Sequence, residues 1–376
     1  MGTEIRRLKV LVVNWQDLEN PNAGGAEIHL HEIFGRLARW GHDVTLLASG
    51  WPGAESSAVA DGMRIVRVGS RYSFPLYARK AFRQLAAEDF DVIVEDVNKL
   101  PLFTPLWSAT PVVALVPHLF GTTAFKQEVF PIAATVWMAE RLMPLVYGRV
   151  PFFVISDSTA QDLVDRGFER DRITVSYPGI DHELCTPDPA GPSAARSADP
   201  VIAYVGRLQR YKGLDAVLRA IGSLRAEDLT VRFVIAGRGD DRERLETLAR
   251  ELGVEALVDF RGYISEEHKI DLLRSIWANV YPSPKEGWGI TNIEAAACGT
   301  QSLVSDAPGL RESVVHGETG YLIPHGDMTA WVDRIRQLCE NPERLPQMAA
   351  AAIRHAARFT WDETARQMEA LLLSAA

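Results

Sequence analysis

Along the first half of the chain, short runs of Val, Ile and Leu alternate with longer stretches whose apolar residues recur every three or four positions. Residues 8–13 read as a buried strand. Residues 27–40 read as a helix with Ile28, Leu30, Phe34 and Leu37 on its periodic face and Gly41 as its stop. Further strands are expected at 44–48, 92–94, 112–116 and 152–155. Unbroken β-branched runs mark strands covered on both faces, so the pattern predicts a doubly wound parallel α/β sheet. Between 176 and 200 the periodicity fades into Pro, Gly, Ser and Ala, which reads as a hinge and surface loop. A second cycle follows, with strands at 201–205, 232–236, 258–260, 280–281 and 303–304. Its helices are expected at 214–224, 242–252 and 266–276. The simplest architecture is two Rossmann-like domains, 1–178 and 179–360, facing across a cleft. A last helix near 361–373 opens on Thr360, Trp361, Asp362 and Glu363, which fits a capping box.

Composition narrows the function. At 376 residues the chain exceeds one ordinary domain. Its 40 Lys and Arg against 49 Asp and Glu give a net charge of −9, which disfavours a nucleic-acid binder. Three scattered cysteines, Cys185, Cys298 and Cys339, suit a reducing cytoplasm and make neither a disulfide framework nor a cysteine-rich metal site. The apolar run at 10–13 is too short for a signal peptide. Residues 100–125 contain no Asp, Glu, Lys or Arg, but Pro101, Pro105, Pro111 and Pro117 divide them. A buried strand with proline-rich connections fits better than a membrane span. One stretch reverses the overall charge: Arg64, Arg67, Arg71, Arg79, Lys80 and Arg83 fall in a segment without a single acid. A solvated face is the default reading. Contact with an anionic membrane surface or a negatively charged acceptor is the alternative.

Chemistry concentrates where strands end. Gly24 and Gly25 lie between the first strand and its helix, where backbone N–H groups can meet phosphate oxygens or simply turn the chain. Arg207 and Lys212 follow the strand at 201–205, five apart around a glycine-bounded turn, a pairing that suits a diphosphate. In SPKEGWGITNIEAAACGT, Glu286 and Glu294 stand eight residues apart around a glycine-rich loop and the start of a helix near Thr291. The carboxylates could grip hydroxyls on either side of an anion held by the loop. Glu294 has a second reading, because Thr291 to Glu294 also spells a capping box. His118 follows the strand at 112–116, at the rim where it could donate to a phosphate or a sugar hydroxyl. Asp89 and Asp91 have a metal-binding spacing but precede their strand, at the wrong end for a ligand. Glu95, Asp96 and Asn98, past the other end, are better placed, with Lys99 and residues 120–125 beside them. His29 and His31 point to different faces of one helix and make no metal pair.

Together these segments resemble the retaining glycosyltransferases of family 4, which have the GT-B fold. The matching residues are GGAE at 24–27, GRLQRYKG at 206–213, IAGRGD at 235–240, FRGYI at 260–264, EGWGITNIEA at 286–295 and ETGYLIP at 318–324. The resemblance implies transfer of a sugar from a nucleoside diphosphate donor with retention at the anomeric carbon, without a bound metal or other cofactor. It assigns Arg207 and Lys212 to the diphosphate, Glu286 to the donor sugar, Glu294 to the ribose, backbone near Ile264 to the base and His118 to the sugar. Gly237, Gly287, Trp288, Gly289 and Ile290 join the donor site. The family often carries Phe where Trp288 stands, so a reshaped cleft is expected. The last helix should cross back onto the N-terminal domain. UDP is expected over GDP, and the acceptor is expected to be a glycan or lipid-linked, with peripheral contact at the inner face of the membrane. A sugar-nucleotide epimerase or phosphorylase, or a non-catalytic nucleotide-sugar binder, would share the diphosphate site.

Overall fold

The computed structural model describes residues 6–85, 88–121, 125 and 130–376. The chain forms two compact units, Met1–Gly179 with Trp361–Ala376, and Ile180–Thr360. The first is built on a sheet of β1 (Lys9–Val13), β2 (Asp43–Ser49), β3 (Ser57–Ala60), β4 (Met63–Val68), β5 (Val92–Asp96), β6 (Val112–Val116), β7 (Phe152–Val154) and β8 (Ile173–Val175). The strand order is β3-β4-β2-β1-β5-β6-β7-β8, parallel except where β3 pairs antiparallel with β4. The hydrophobic pattern does not reveal β3 and β4. β3 is the edge of the sheet and β4 lies next to it, where buried positions alternate with exposed or half-buried ones and where Arg64 and Arg67 stand.

Two helical layers cover this sheet. On one face, Leu30, Ile33, Phe34 and Leu37 of α1 (Gly25–Arg39) share a core with Val10, Val12, Leu46, Val94 and Leu115 of the strands. The other face is covered by α2 (Phe74–Leu85), α3 (Phe130–Tyr147) and α4 (Asp157–Asp165), through Phe74, Phe82, Met143, Tyr147 and Leu163.

The second unit has six parallel strands, β9 (Val201–Val205), β10 (Arg232–Ala236), β11 (Val258–Gly262), β12 (Ala278–Tyr281), β13 (Gln301–Asp306) and β14 (Gly320–Pro324). Their order is β11-β10-β9-β12-β13-β14, so the chain winds outward in both directions from β9 and β12. The helices are α5 (Leu214–Ala226), α6 (Arg242–Glu251), α7 (Glu266–Ser275), α8 (Ile290–Ala297), α9 (Leu310–Ser313), α10 (Met328–Glu340) and α11 (Leu345–Ala356). In open sheets of this kind the ligand crevice lies at the carboxyl ends of the strands, where the order reverses. That point is between β9 and β12 here, and between β1 and β5 in the first unit.

The terminal helix α12 (Trp361–Ala375) belongs to the first unit. Ala365, Met368 and Leu372, at helical spacing, join the core beneath α1. Burying Met or Leu completely contributes roughly 1.5–3 kcal/mol each. Arg36 donates to Asp362 at 2.7 Å, His42 lies 2.8 Å from Glu369, and Trp361 meets the His29 ring edge-on at 5.7 Å. His29 is buried with neither ring nitrogen hydrogen-bonded among the described residues, and burial lowers its pKa from 6.5 to about 4. Between those values the unfolded chain binds a proton that the folded chain refuses. His29 therefore lowers stability as pH falls through 6.5 toward 4, by up to about 3 kcal/mol. We expect His29→Leu to flatten that part of the stability–pH curve in urea titrations; an unchanged slope would refute it.

Candidate functional site

At the reversal point of the second unit, the loops leaving β9 and β12 meet through two charged side chains. Lys212, 7% exposed, donates to both carboxylate oxygens of Glu286, at 2.6 and 2.8 Å. Burial alone would lower the Lys212 pKa, but the Glu286 carboxylate outweighs it and the net shift is upward, so the ammonium stays charged. The Tyr211 ring also lies against the ammonium. Arg207, on the same loop, is exposed and forms no ion pair among the described residues. The loop backbone is held from beneath: the Tyr204 hydroxyl donates to the Arg207 carbonyl at 2.9 Å and Tyr281 donates to Val205.

The Glu286 loop is equally fixed. Its N–H donates to the Pro308 carbonyl, and Gly309 lies so close that a Cβ there would sit 2.3 Å from the Glu286 carbonyl oxygen. Gly289 is the N-cap of α8, followed by Ile290, and Gly287 precedes the buried Trp288. Asn292 pins the start of α8, accepting from Asn279 and donating to Ser313, both at 2.9 Å. The positive end of α8 and the ammonium of Lys212 thus flank one short loop, an arrangement suited to an anion.

Two expectations about the donor-site residues need correction. Trp288 does not reshape a ligand surface: it is 1% exposed and stacks edge-on against Phe359 at 4.9 Å, so its bulk anchors the loop in the core. Gly237 offers no free N–H to a ligand, because that group donates to Gly262 at 2.6 Å. Its φ of +141° and a Cβ position 1.8 Å from the Gly206 carbonyl oxygen give it a different task, letting the β9 and β10 loops touch.

The capping reading of Glu294 also falls. Because the cap is Gly289, Glu294 lies one turn inside the helix and accepts from Lys269 of α7 at 2.9 Å. Burial raises the Glu294 pKa and Lys269 works against that rise. Ile264 lines a groove of about 540 Å³ with Arg261, His268, Asp271, Leu272 and Ser275. Lys269 and Asn279 were not found by reading the sequence, since isolated polar residues inside helix and strand patterns carry no motif; Asn292 stands inside EGWGITNIEA, but its role as a tether shows only in the fold.

In the first unit, His118 follows β6 and meets Phe120 edge-on at 4.8 Å. The turn it occupies is clamped by the buried Glu140 of α3, which accepts from the Phe120 and Gly121 N–H groups at 2.7 and 2.8 Å and pairs with Arg166. Residues 122–124 of the expected acceptor stretch lie outside the described residues. Glu95 is not a ligand residue. Its oxygens accept from Leu102 N, Thr104 N, the Thr104 hydroxyl and the Tyr147 hydroxyl, all within 2.9 Å, so its carboxylate is spent shaping the connection to β6.

Asp96 and Asn98 differ from Glu95. Among the described residues, both Asp96 oxygens and Asn98 Oδ1 are buried without a hydrogen bond, at the reversal point between β1 and β5. Burial and the neighbouring Glu27 and Glu95 raise the Asp96 pKa well above the usual carboxyl range, against an opposing pull from Lys99. Asn98 donates to Asn14 and Lys99 to Gln16 across the same crevice. Gly24 caps α1 and gives its N–H to Glu27; neither Gly24 nor Gly25 has positive φ or a close neighbour that excludes a Cβ.

The basic stretch is not one face. Arg67 is buried against Asp17 and Glu19, and Arg64 pairs with Glu88. Arg71, Arg79, Lys80 and Arg83 remain exposed on and beside α2. Asp91 accepts from the Lys9 N–H at the foot of the sheet, and His31 pairs with Asp61 while His29 faces Trp361. Among the described residues no group of three or more His, Cys, Asp or Glu is placed to hold a metal ion.

Comparison with known proteins places this geometry. The family model for glycosyl transferases group 1 matches residues 191–355, and that for glycosyltransferase family 4 matches residues 23–184. A D-inositol 3-phosphate glycosyltransferase of Thermobispora bispora is 34% identical over 211 residues, 53% of this chain and 49% of the relative. The match thus spans about half the length of that relative. Sucrose-phosphate synthase from Thermosynechococcus elongatus superposes with a TM-score of 0.83 over 98% of this chain and all of its own, at 21% identity. HepE of Anabaena, solved in complex with UDP-glucose, gives 0.78 with the same coverage and 19% identity. The two parallel-sheet units are those of the GT-B fold. With one family model on each unit and both sheets in this arrangement, the chain belongs to glycosyltransferase family 4.

Proposed function

We propose that the protein transfers a sugar from a nucleoside diphosphate donor, a UDP-sugar, to a hydroxyl-bearing acceptor with retention of anomeric configuration. The observation that carries this reading is the Lys212–Glu286 pair at the reversal point of the second unit. An ammonium has three donors, so diphosphate oxygens can share Lys212 while Glu286 turns its remaining lone pairs to sugar hydroxyls. Arg207, Lys212 and the N-terminus of α8 would then neutralise the leaving diphosphate without a divalent metal. In this mechanism the bond from the anomeric carbon to the diphosphate breaks ahead of attack. The acceptor oxygen adds on the same face and its proton passes to the departing diphosphate. No enzyme carboxylate forms a covalent bond. Glu294 is assigned to the ribose, backbone at Ile264 to the base and His118 to the transferred sugar.

The acceptor is assigned to the first unit, where the Asp96 carboxyl and Asn98 Oδ1 have no hydrogen-bond partner among the described residues. Cys185 and Cys298 are buried free thiols, consistent with a cytoplasmic setting. Incubation with UDP-glucose and GDP-mannose, with D-inositol 3-phosphate and short glycans as acceptors, tests the reading by NMR of the product. A retained anomeric configuration is expected. An inverted product, or no nucleotide release from any donor, would contradict it.

We further propose peripheral membrane contact. No helix among the described residues is long and apolar enough to cross a membrane. Yet α2 exposes Leu76 (79%) and Tyr77, with Tyr72 just before it, beside Arg71, Arg79, Lys80 and Arg83. On the same side of the sheet α3 exposes Phe130, Met138, Leu142 and Leu145. Apolar residues framed by cations match an anionic lipid surface. Each cation near such a surface adds about 1 kcal/mol, so replacing Arg79, Lys80 and Arg83 with alanine should weaken binding to phosphatidylserine vesicles about 100-fold. Equal sedimentation of wild type and variant would exclude this contact.

A further inference from the structure

The second carboxylate of the E-x7-E segment does not stand alone. Lys269, on the first turn and a half of α7, reaches across to α8 and donates to Glu294 Oε1 at 2.9 Å. Both side chains are largely buried, and Lys269 is the one cation within ion-pair distance of Glu294 among the described residues. No hydrogen bond reaches Glu294 Oε2 among those residues. A second carboxylate, Glu266, competes for the ammonium at 2.5 Å from the rim, where it is mostly exposed.

A buried carboxylate without a counter-ion is pushed toward its neutral form and is free to rotate; an ammonium on one oxygen opposes the first and prevents the second. We infer that Lys269 is a positioning residue for ribose recognition, holding Glu294 by Oε1 so that Oε2 takes the ribose hydroxyls of the donor. This rests on the reading of Glu294 as the ribose contact, and the test separates the two. Calorimetric titration compares UDP with 2′-deoxy-UDP, and GDP with 2′-deoxy-GDP, on wild type, Lys269→Met, Lys269→Arg and Glu266→Gln. Wild type should prefer the ribonucleotide about tenfold or more, the size of a hydrogen bond to a charged group. Lys269→Met should bring that preference within about twofold, Lys269→Arg should restore most of it, and Glu266→Gln should leave it intact.

A merely structural lysine would weaken both nucleotides equally, leaving their ratio unchanged; that result overturns the role of Lys269. If wild type itself fails to discriminate, the ribose assignment of Glu294 falls instead. Should Lys269→Met not fold, Lys269→Gln keeps the comparison available with a side chain that can still donate one hydrogen bond. It should show an intermediate preference, and full wild-type preference would again overturn the inference.

Discussion

Replacing Lys212 with alanine is expected to lower kcat/KM for the donor by about 10³-fold, the loss seen when a preorganised group facing developing negative charge is removed. The same change should destabilise the free protein. Glu286 loses both of its short hydrogen bonds to the ammonium and becomes a largely buried carboxylate without a partner. Breaking such a pair from one side costs about 3 kcal/mol. These two consequences separate in a double variant. Lys212→Met with Glu286→Gln removes the uncompensated charge and should recover most of the lost stability, while leaving transfer activity as low as in the single variant. Chemical denaturation alongside donor kinetics checks both. Activity returning with stability would mean that Lys212 is structural and that the diphosphate lies elsewhere.

The second large effect is purely geometric. Gly237→Ala places a methyl group 1.8 Å from the Gly206 carbonyl oxygen, at a φ of +141° that L side chains rarely adopt. The neighbouring backbone is tied down, with Gly237 N–H donating to Gly262 and Leu208 N–H to Arg238. No flexible side chain can absorb the overlap. A loss of about 4 kcal/mol or more is expected, equivalent to roughly 10 °C in Tm for a domain of this size. Because Gly206 adjoins Arg207, donor affinity should fall as well. Gly253→Ala is the control: it shares a positive φ, +65°, but nothing lies within 4 Å of the added carbon. That variant should lose only about 1 kcal/mol. Equal losses in the two would show that φ, and not the close approach of two strand-end loops, decides the cost.

These two positions also show what a sequence can and cannot disclose. The central strands were legible because burial on both faces leaves an uninterrupted apolar run; Val112–Val116 reads directly from the chain. Strands toward the margin of the sheet were not. Met63–Val68, second from the edge, has one face partly exposed and carries arginines, so its pattern resembles a basic surface segment. That same masking merged Arg67, which is buried on Asp17, with the exposed Arg79, Lys80 and Arg83. Lys212 and Glu286 were visible as residues near strand ends, but 74 positions separate them, and only the strand order brings them to 2.6 Å.

Trp288 and Gly237 sit inside recognisable motifs yet act through packing, because a motif records which residues cluster and not which way each side chain turns. Glu95 and Asp96 are neighbours in one strand with opposite circumstances. One is satisfied four times over and the other has no hydrogen bond among the described residues, a difference set by Leu102 and Thr104 on the following connection and by Tyr147, 52 positions away.

The proposed transfer requires that the reversal point of the second unit bind a nucleoside diphosphate at Lys212, beside its partner Glu286. Thermal unfolding in the presence of UDP, GDP, ADP and dTDP, on wild type and on the Lys212→Met, Glu286→Gln double variant, tests it most directly. Ligand at 100 times its dissociation constant adds about 2.7 kcal/mol to the folded state, a shift of several degrees. UDP should raise the wild-type Tm by that amount and leave the variant unmoved. A wild type that responds to none of the four nucleotides, or a variant that responds as strongly as wild type, would contradict it.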